Sequence, residues 1–163
     1  MLTLMLAALT TVHSAAPMTS APATVLPIAI VAEPARSAEH IARARKALET
    51  GDLAEARREF VIATALDRDE GKLPVESSFG LAQVLFSQAQ DTQAGRVLEQ
   101  LADDAQHKGD LDTEAHARVD AIWLNLNAKD AKRARLNAER LQVLRGDARL
   151  SKETRTYIDK RVR

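Results

Sequence analysis

A chain of 163 residues has room for one domain, and its 45% hydrophobic, 3% aromatic and 28% charged composition describes a soluble, alanine-rich helical protein with a core of small side chains. It contains no cysteine, which excludes disulfides, zinc–thiolate sites, thiol catalysis and a lipid anchor on a cysteine. Lys plus Arg and Asp plus Glu number 23 each, so any charge surplus in one part is balanced by the rest.

The first 32 residues carry no Lys, Arg, Asp or Glu. The opening MLTLMLAALTTV is an apolar run followed by Ser14, Ala15 and Ala16, which is the pattern of a secretory signal peptide over residues 1–16. No Lys or Arg precedes the run, so either the terminal amine supplies the charge or the true start lies upstream. The pattern predicts a periplasmic or secreted protein, with a cytoplasmic protein bearing an apolar N-terminus as the alternative. Pro17, Pro22 and Pro27 interrupt the uncharged stretch, and the unbroken run is shorter than the ~20 residues of a spanning helix, so no stable membrane span is expected in the mature chain. Residues 17–36, rich in Pro, Ala, Ser and Thr, read as an extended linker. Within it VLPIAIVA, residues 25–32, is apolar enough to dock on another surface, although Pro27 opposes a central strand.

From residue 37 to 163 every long apolar pattern has helical period, and ~130 folded residues suffice to bury roughly two thirds of the unfolded surface. Residues 38–50 carry Ile41, Ala44, Ala47 and Leu48 on one side, with Ser37 as the expected N-cap. Gly51 then closes one helix, and Asp52 opens the next, with Glu55 placed for a reciprocal capping box. In that second helix Ala56, Phe60 and Ala63 form a stripe, with Leu53 and Leu66 extending it, while Arg57, Arg58 and Glu59 take the other side. Two helices joined by so short a turn make an antiparallel hairpin.

Ala44, Ala47, Gly51, Asp52, Ala56, Phe60 and Ala63 together resemble one tetratricopeptide repeat in register. The second-helix signature is present as Ala56, Phe60 and Ala63. His40, Arg43, Ala44 and Ala47 stand where the family has its first-helix tryptophan, leucine, glycine and tyrosine, and Arg68 stands where it has proline. The resemblance implies an all-α fold, a short right-handed α-solenoid of about three antiparallel hairpins plus a C-terminal capping helix.

Further along the chain, Pro74 is placed to start a helix whose face carries Val75, Phe79, Ala82 and Phe86, with Leu81 and Leu85 adjoining. After a turn at 88–91, Ala94, Leu98 and Leu101 repeat the earlier stripe. A third unit shows Ala115, Val119, Ile122 and Leu126 over 112–127, then Ala131, Ala134, Ala138 and Leu141. Gly146 and Asp147 end that helix in the manner of a C-terminal glycine. Ser151 caps a last helix whose thin apolar side is Tyr157, Ile158 and Val162. The count is seven helices.

Site chemistry is sparse. Asp110, Asp112, Glu114 and His116 suggest a metal cluster, but Ala115 and Ala121 stand where a calcium loop needs glycine and glutamate, so helix capping and dipole complementation account for the acids. His13, His40, His107 and His116 show no metalloprotease spacing, and neither a nucleophile elbow nor a phosphate-cradling glycine loop is present. The sequence therefore predicts no enzyme, no metal and no cofactor. From residue 128 onward 12 Lys and Arg face 5 acids, a basic surplus that suits an acidic partner or anionic surface. Only Tyr157 is available there for base stacking, which argues against nucleic acid. Two functions follow. One is a non-enzymatic scaffold or adaptor holding a protein or peptide partner in a concave groove; the alternative is a polyanion or anionic-surface binder acting through the basic end. The resemblance implies groove positions on the first helix of each unit: Arg45 and Glu49, Gln83 and Ser87, Trp123 and Asn127.

Overall fold

The computed structural model describes residues 36–161, which form α1 (Arg36–Glu49), α2 (Leu53–Asp69), α3 (Val75–Ser87), α4 (Asp91–Lys108), α5 (Leu111–Asn127), α6 (Ala131–Arg145) and α7 (Lys152–Arg161). The leader and nearly all of the linker expected at the N-terminus lie outside these residues, as does Val162. Arg36, assigned above to the linker, is the first residue of α1.

One turn device recurs through the chain. Gly51, Gly71, Ala89, Gly109 and Lys129 all have positive φ, between 58° and 79°, and each follows a helix C-terminus. The next residue's amide then reaches back to a carbonyl five positions earlier: Asp52 to Ala47 at 2.8 Å, Lys72 to Asp67 at 2.7 Å, Gln90 to Leu85 at 2.9 Å, Asp110 to Ala105 at 3.0 Å, Asp130 to Asn125 at 2.8 Å. In four of these turns the same residue is also the N-cap of the following helix, and in three of them its side chain makes the cap, with Asp52, Asp110 and Asp130 carboxylates accepting from the amides of Glu55, Thr113 and Arg133. A two-residue turn thus satisfies the end of one helix and the start of the next.

Several local expectations are corrected. Ser37 lies inside α1, buried, with its hydroxyl donating to Ala63 O at 3.4 Å across the hairpin, so it is not a cap. The capping box at Asp52 is half made: the Asp52 amide is already bonded to Ala47 O, and the Glu55 carboxylate pairs with Arg58 instead. Pro74 is the N-cap of α3 rather than its first residue. Gly146 ends α6 at φ −79°, without the left-handed conformation, while Ser151 caps α7 as expected, accepting from Thr154 N at 3.1 Å.

From α1 to α6 each helix packs on the next in sequence, and the odd-numbered helices α1, α3, α5 and α7 also touch in series. The chain is thus an all-α stack of successive helical hairpins, a solenoid-like arrangement. Ala44, Ala56, Ala63 and Ala94 are fully buried, allowing close approach of backbones. Phe60, 2% exposed, reaches between α2 and α3, and a Cβ on Gly80 would overlap its ring. One apolar cluster runs from Ala44 and Ala47 through Phe60, Leu85 and Leu98 to Leu124. A second joins Val119 of α5 to Leu141 and Leu144 of α6, Leu150 of the connection that follows, and Ile158 of α7.

Three side chains assigned to apolar stripes are exposed: Phe86, Leu126 and Ala131. Leu81, Val84, Leu85 and Leu124 are buried on the inner helices, and Asn137 and Leu144 on α6. The reason is that α3 and α5 are each flanked by helices on several sides, so their buried arc is wider than one stripe and is rotated away from Phe86 and Leu126.

The buried charged side chains Glu59, Glu114 and Arg118 all have partners. Glu59 accepts from His40 Nδ1 at 2.6 Å and Arg43 Nε at 3.0 Å; burial alone would raise its pKa, but these bonds outweigh it and hold the carboxyl below its usual value. Glu114, fully buried, takes Arg118 Nε at 3.0 Å and a two-pronged Arg140 at 2.7 and 2.9 Å. Arg118 continues to Asn137, Asp103 and Gln106, linking α4, α5 and α6.

Phe60→Ala should lower unfolding free energy by about 3–5 kcal/mol in chemical denaturation. Gly80→Ala, which crowds the same ring, should lower it by about 1–3 kcal/mol. Ala89→Gly, which relieves a left-handed alanine, should instead raise it by about 0.5–1 kcal/mol.

Candidate partner-binding groove

α5 exposes one narrow strip. Its residues Asp112, His116, Asp120, Trp123 and Asn127 recur at steps of three and four, and most of the residues between them, Leu126 excepted, are buried or half-buried. α7 covers the N-terminal half of the strip: the Tyr157 ring stacks on His116 with centroids 4.3 Å apart, its hydroxyl donates to Asp120 Oδ1 at 2.7 Å, and the Ser151 amide donates to Asp112 at 3.1 Å. The C-terminal half meets α3, where Phe86 and Trp123 lie with ring centroids 4.9 Å apart at 60°.

Between these contacts runs an open groove of about 500 Å³. Its lining includes Leu48, Phe60, Phe79, Leu98 and Leu124, of which Phe60, Leu98 and Leu124 are almost fully buried, and the Phe60 ring fills the space beside the Gly80 backbone. The rim carries Arg45 of α1, Glu76 and Gln83 of α3, Asp120 and Trp123 of α5, and Arg161 of α7. Arg45 is ion-paired with Glu76, and the Arg161 guanidinium stands 5.5 Å from the Tyr157 ring centroid. Burial, reinforced by Asp120, pushes the Tyr157 phenol up to about 12.

Of the six positions carried over from the repeat alignment, Arg45, Gln83 and Trp123 come together on this groove. Glu49, Ser87 and Asn127 are the last residues of α1, α3 and α5, one turn further on, and are not among the lining residues. Glu76, Phe86, Asp120 and Arg161 line the groove without having been singled out. Helical spacing alone places Asp120 three residues before Trp123 and Glu76 seven before Gln83, each on the same helix face. For Arg161 no sequence signal existed, because α7 reaches the groove only by folding back onto α5.

The acid-rich segment at α5 does not converge. Asp110 caps the helix, Asp112 holds Ser151, Glu114 holds two arginines, and His116 faces Tyr157, with its Nε2 3.3 Å from Thr154 Oγ1. Among the described residues no group of three His, Asp or Glu is placed to hold a metal ion. The basic end is largely engaged too. Arg133 pairs with Glu99, Arg140 with Glu114, Arg145 with Asp159 and Arg149 with Asp147, while Arg155 donates to the carbonyls of Asp147 and Leu150.

Tyr157 is the sole tyrosine of the chain, so phenolate absorbance reports it alone. It should titrate near 12 in the folded protein against about 10 in the unfolded one. Its contribution to holding α7 is therefore complete below pH ~10 and is lost as pH rises toward 12. A folded-state midpoint at the unfolded value would contradict the Asp120 bond.

No family model matches the chain, and comparison with curated proteins and with solved structures likewise gives no match.

Proposed function

We propose that this protein is a non-enzymatic adaptor, a right-handed tetratricopeptide-type stack that holds a segment of a partner protein across α1, α3, α5 and α7. The observation that carries this reading is the pair Phe86 and Trp123, 42% and 50% exposed, set side by side on an apolar groove in a chain with only five Phe, Trp and Tyr residues. Large, rigid aromatic side chains beside a concave apolar surface are the usual anchors of protein recognition, because burying them on binding gives much contact area for little lost rotamer freedom. The resemblance of Ala56, Phe60 and Ala63 to the repeat signature supports the same use of the odd-helix face. The uncharged leader supports export to the periplasm or outside the cell as the place where the partner is met.

The competing polyanion reading draws on the basic surplus after residue 128. Part of that surplus meets acids outside the last third, Arg133 with Glu99 and Arg140 with Glu114, which leaves it less field to offer a polyanion.

A photo-crosslinking residue placed at position 123 and exposed to light in the native host should give a discrete adduct. The same residue at Val61, which is exposed on α2 outside the groove, should not. In parallel, Trp123→Ala should change unfolding free energy by less than ~1 kcal/mol, as expected for a half-exposed side chain, and remove the interaction. Equal adducts from both positions, or an interaction that survives Trp123→Ala, would sink the adaptor reading.

A further inference from the structure

The groove's polar groups fall into two kinds. Its four ionic side chains are balanced, two positive and two negative, and each already has a partner: Arg45 with Glu76, Asp120 with the Tyr157 hydroxyl, Arg161 with the Tyr157 ring. An acidic occupant gains Arg45 and Arg161 but meets Glu76 and Asp120, and a basic one meets the reverse, so the rim favours neither sign. Gln83 differs. Its carboxamide is exposed at the rim and, among the described residues, has no hydrogen-bond partner; the Ser87 hydroxyl bonds to its main-chain carbonyl instead, at 3.0 Å. A free carboxamide offers one acceptor and two donor hydrogens, which matches the N–H and C=O of a peptide main chain.

Near it lie the partly buried Phe79 and the exposed rings of Phe86 and Trp123, which offer apolar area and carry no charge, while the open side of Gly80 is closed by the Phe60 ring. Resting on the groove reading above, we infer that the occupant is an uncharged, apolar peptide segment. Its side chains lie against Phe79, Phe86 and Trp123, and its main chain pairs with the Gln83 carboxamide. The bonds to Gln83 distinguish an extended or looped peptide from a small apolar molecule, which would use the same apolar surface and ignore the amide.

Trp123 is the sole tryptophan, so its emission reports occupancy of this site directly. The full chain is titrated with four probes: a short capped peptide of Val, Leu, Phe and Ser; the same peptide with two glutamates; the same with two lysines; and N-phenyl-1-naphthylamine, an uncharged apolar molecule. The uncharged peptide should shift Trp123 emission to shorter wavelength and saturate, with an affinity that is unchanged between low and high salt. Either charged version should bind at least about tenfold more weakly, since a charge must leave water for an apolar surface without a new partner. Gln83→Ala should weaken the uncharged peptide several-fold and leave naphthylamine binding as it was.

Tighter binding of a charged peptide would overturn the neutral occupant while leaving the groove in use. Naphthylamine binding without any peptide binding, or peptide binding indifferent to Gln83→Ala, would overturn the main-chain pairing. If no probe moves Trp123 emission while a cross-link at position 123 still forms, the occupant is of another chemistry and this inference falls alone; if the cross-link is absent as well, the adaptor reading falls with it.

Discussion

The ring of Phe60 against the bare backbone of Gly80 is the contact on which the rest of the described structure depends. It fixes how α2 of the first hairpin sits on α3 of the second, and both residues are among those lining the groove. A larger residue at 80 or a smaller one at 60 changes the spacing of the hairpins and the depth of the groove together, because interiors packed at crystal-like density have no slack to absorb either change.

α5 carries the second half of the architecture. It touches α3, α4, α6 and α7, and its burial is possible because its polar side chains are matched by partners from elsewhere in the chain. Glu114 is neutralised by Arg118 of its own helix and Arg140 of α6, and Arg118 is held in turn by Asn137, Asp103 and Gln106. Such a network adds little net stability over an apolar core, since desolvation of each charge offsets the attraction. Its geometry does fix the rotation of α5, and that rotation leaves the strip of His116, Asp120 and Trp123 facing α7 and α3.

The same pairing explains why net charge misleads here. Counted along the chain, the last third is strongly basic and the rest acidic. Counted in space, Arg133 and Arg140 of α6 reach acids on α4 and α5, Arg149 pairs with nearby Asp147, and Arg155 of α7 donates to the Asp147 carbonyl. A charge asymmetry in sequence is a field in space only where the fold leaves it unpaired.

Sequence by itself determined the helices and their phase. Glycine and aspartate at 51–52 and 109–110 specify a left-handed stop followed by a cap, because few other residues accept that conformation or that bond, and helical periodicity does the rest. The same logic set the repeat register: Arg45, Gln83 and Trp123 each stand four residues before the end of their helix and meet on one groove. Ala89 and Lys129 show where that legibility stops, since two ordinary residues take the positive φ of the same turn, closed by the Gln90 and Asp130 amides, with no signal in their side chains. Phe86 reads as core on any helical wheel, and Glu114 as a surface acid at a helix start; the first is exposed and the second fully buried. Only tertiary structure decided these, because the burial of one helix face is set by which neighbours flank it, and the burial of a carboxylate by a guanidinium that arrives from 26 residues away.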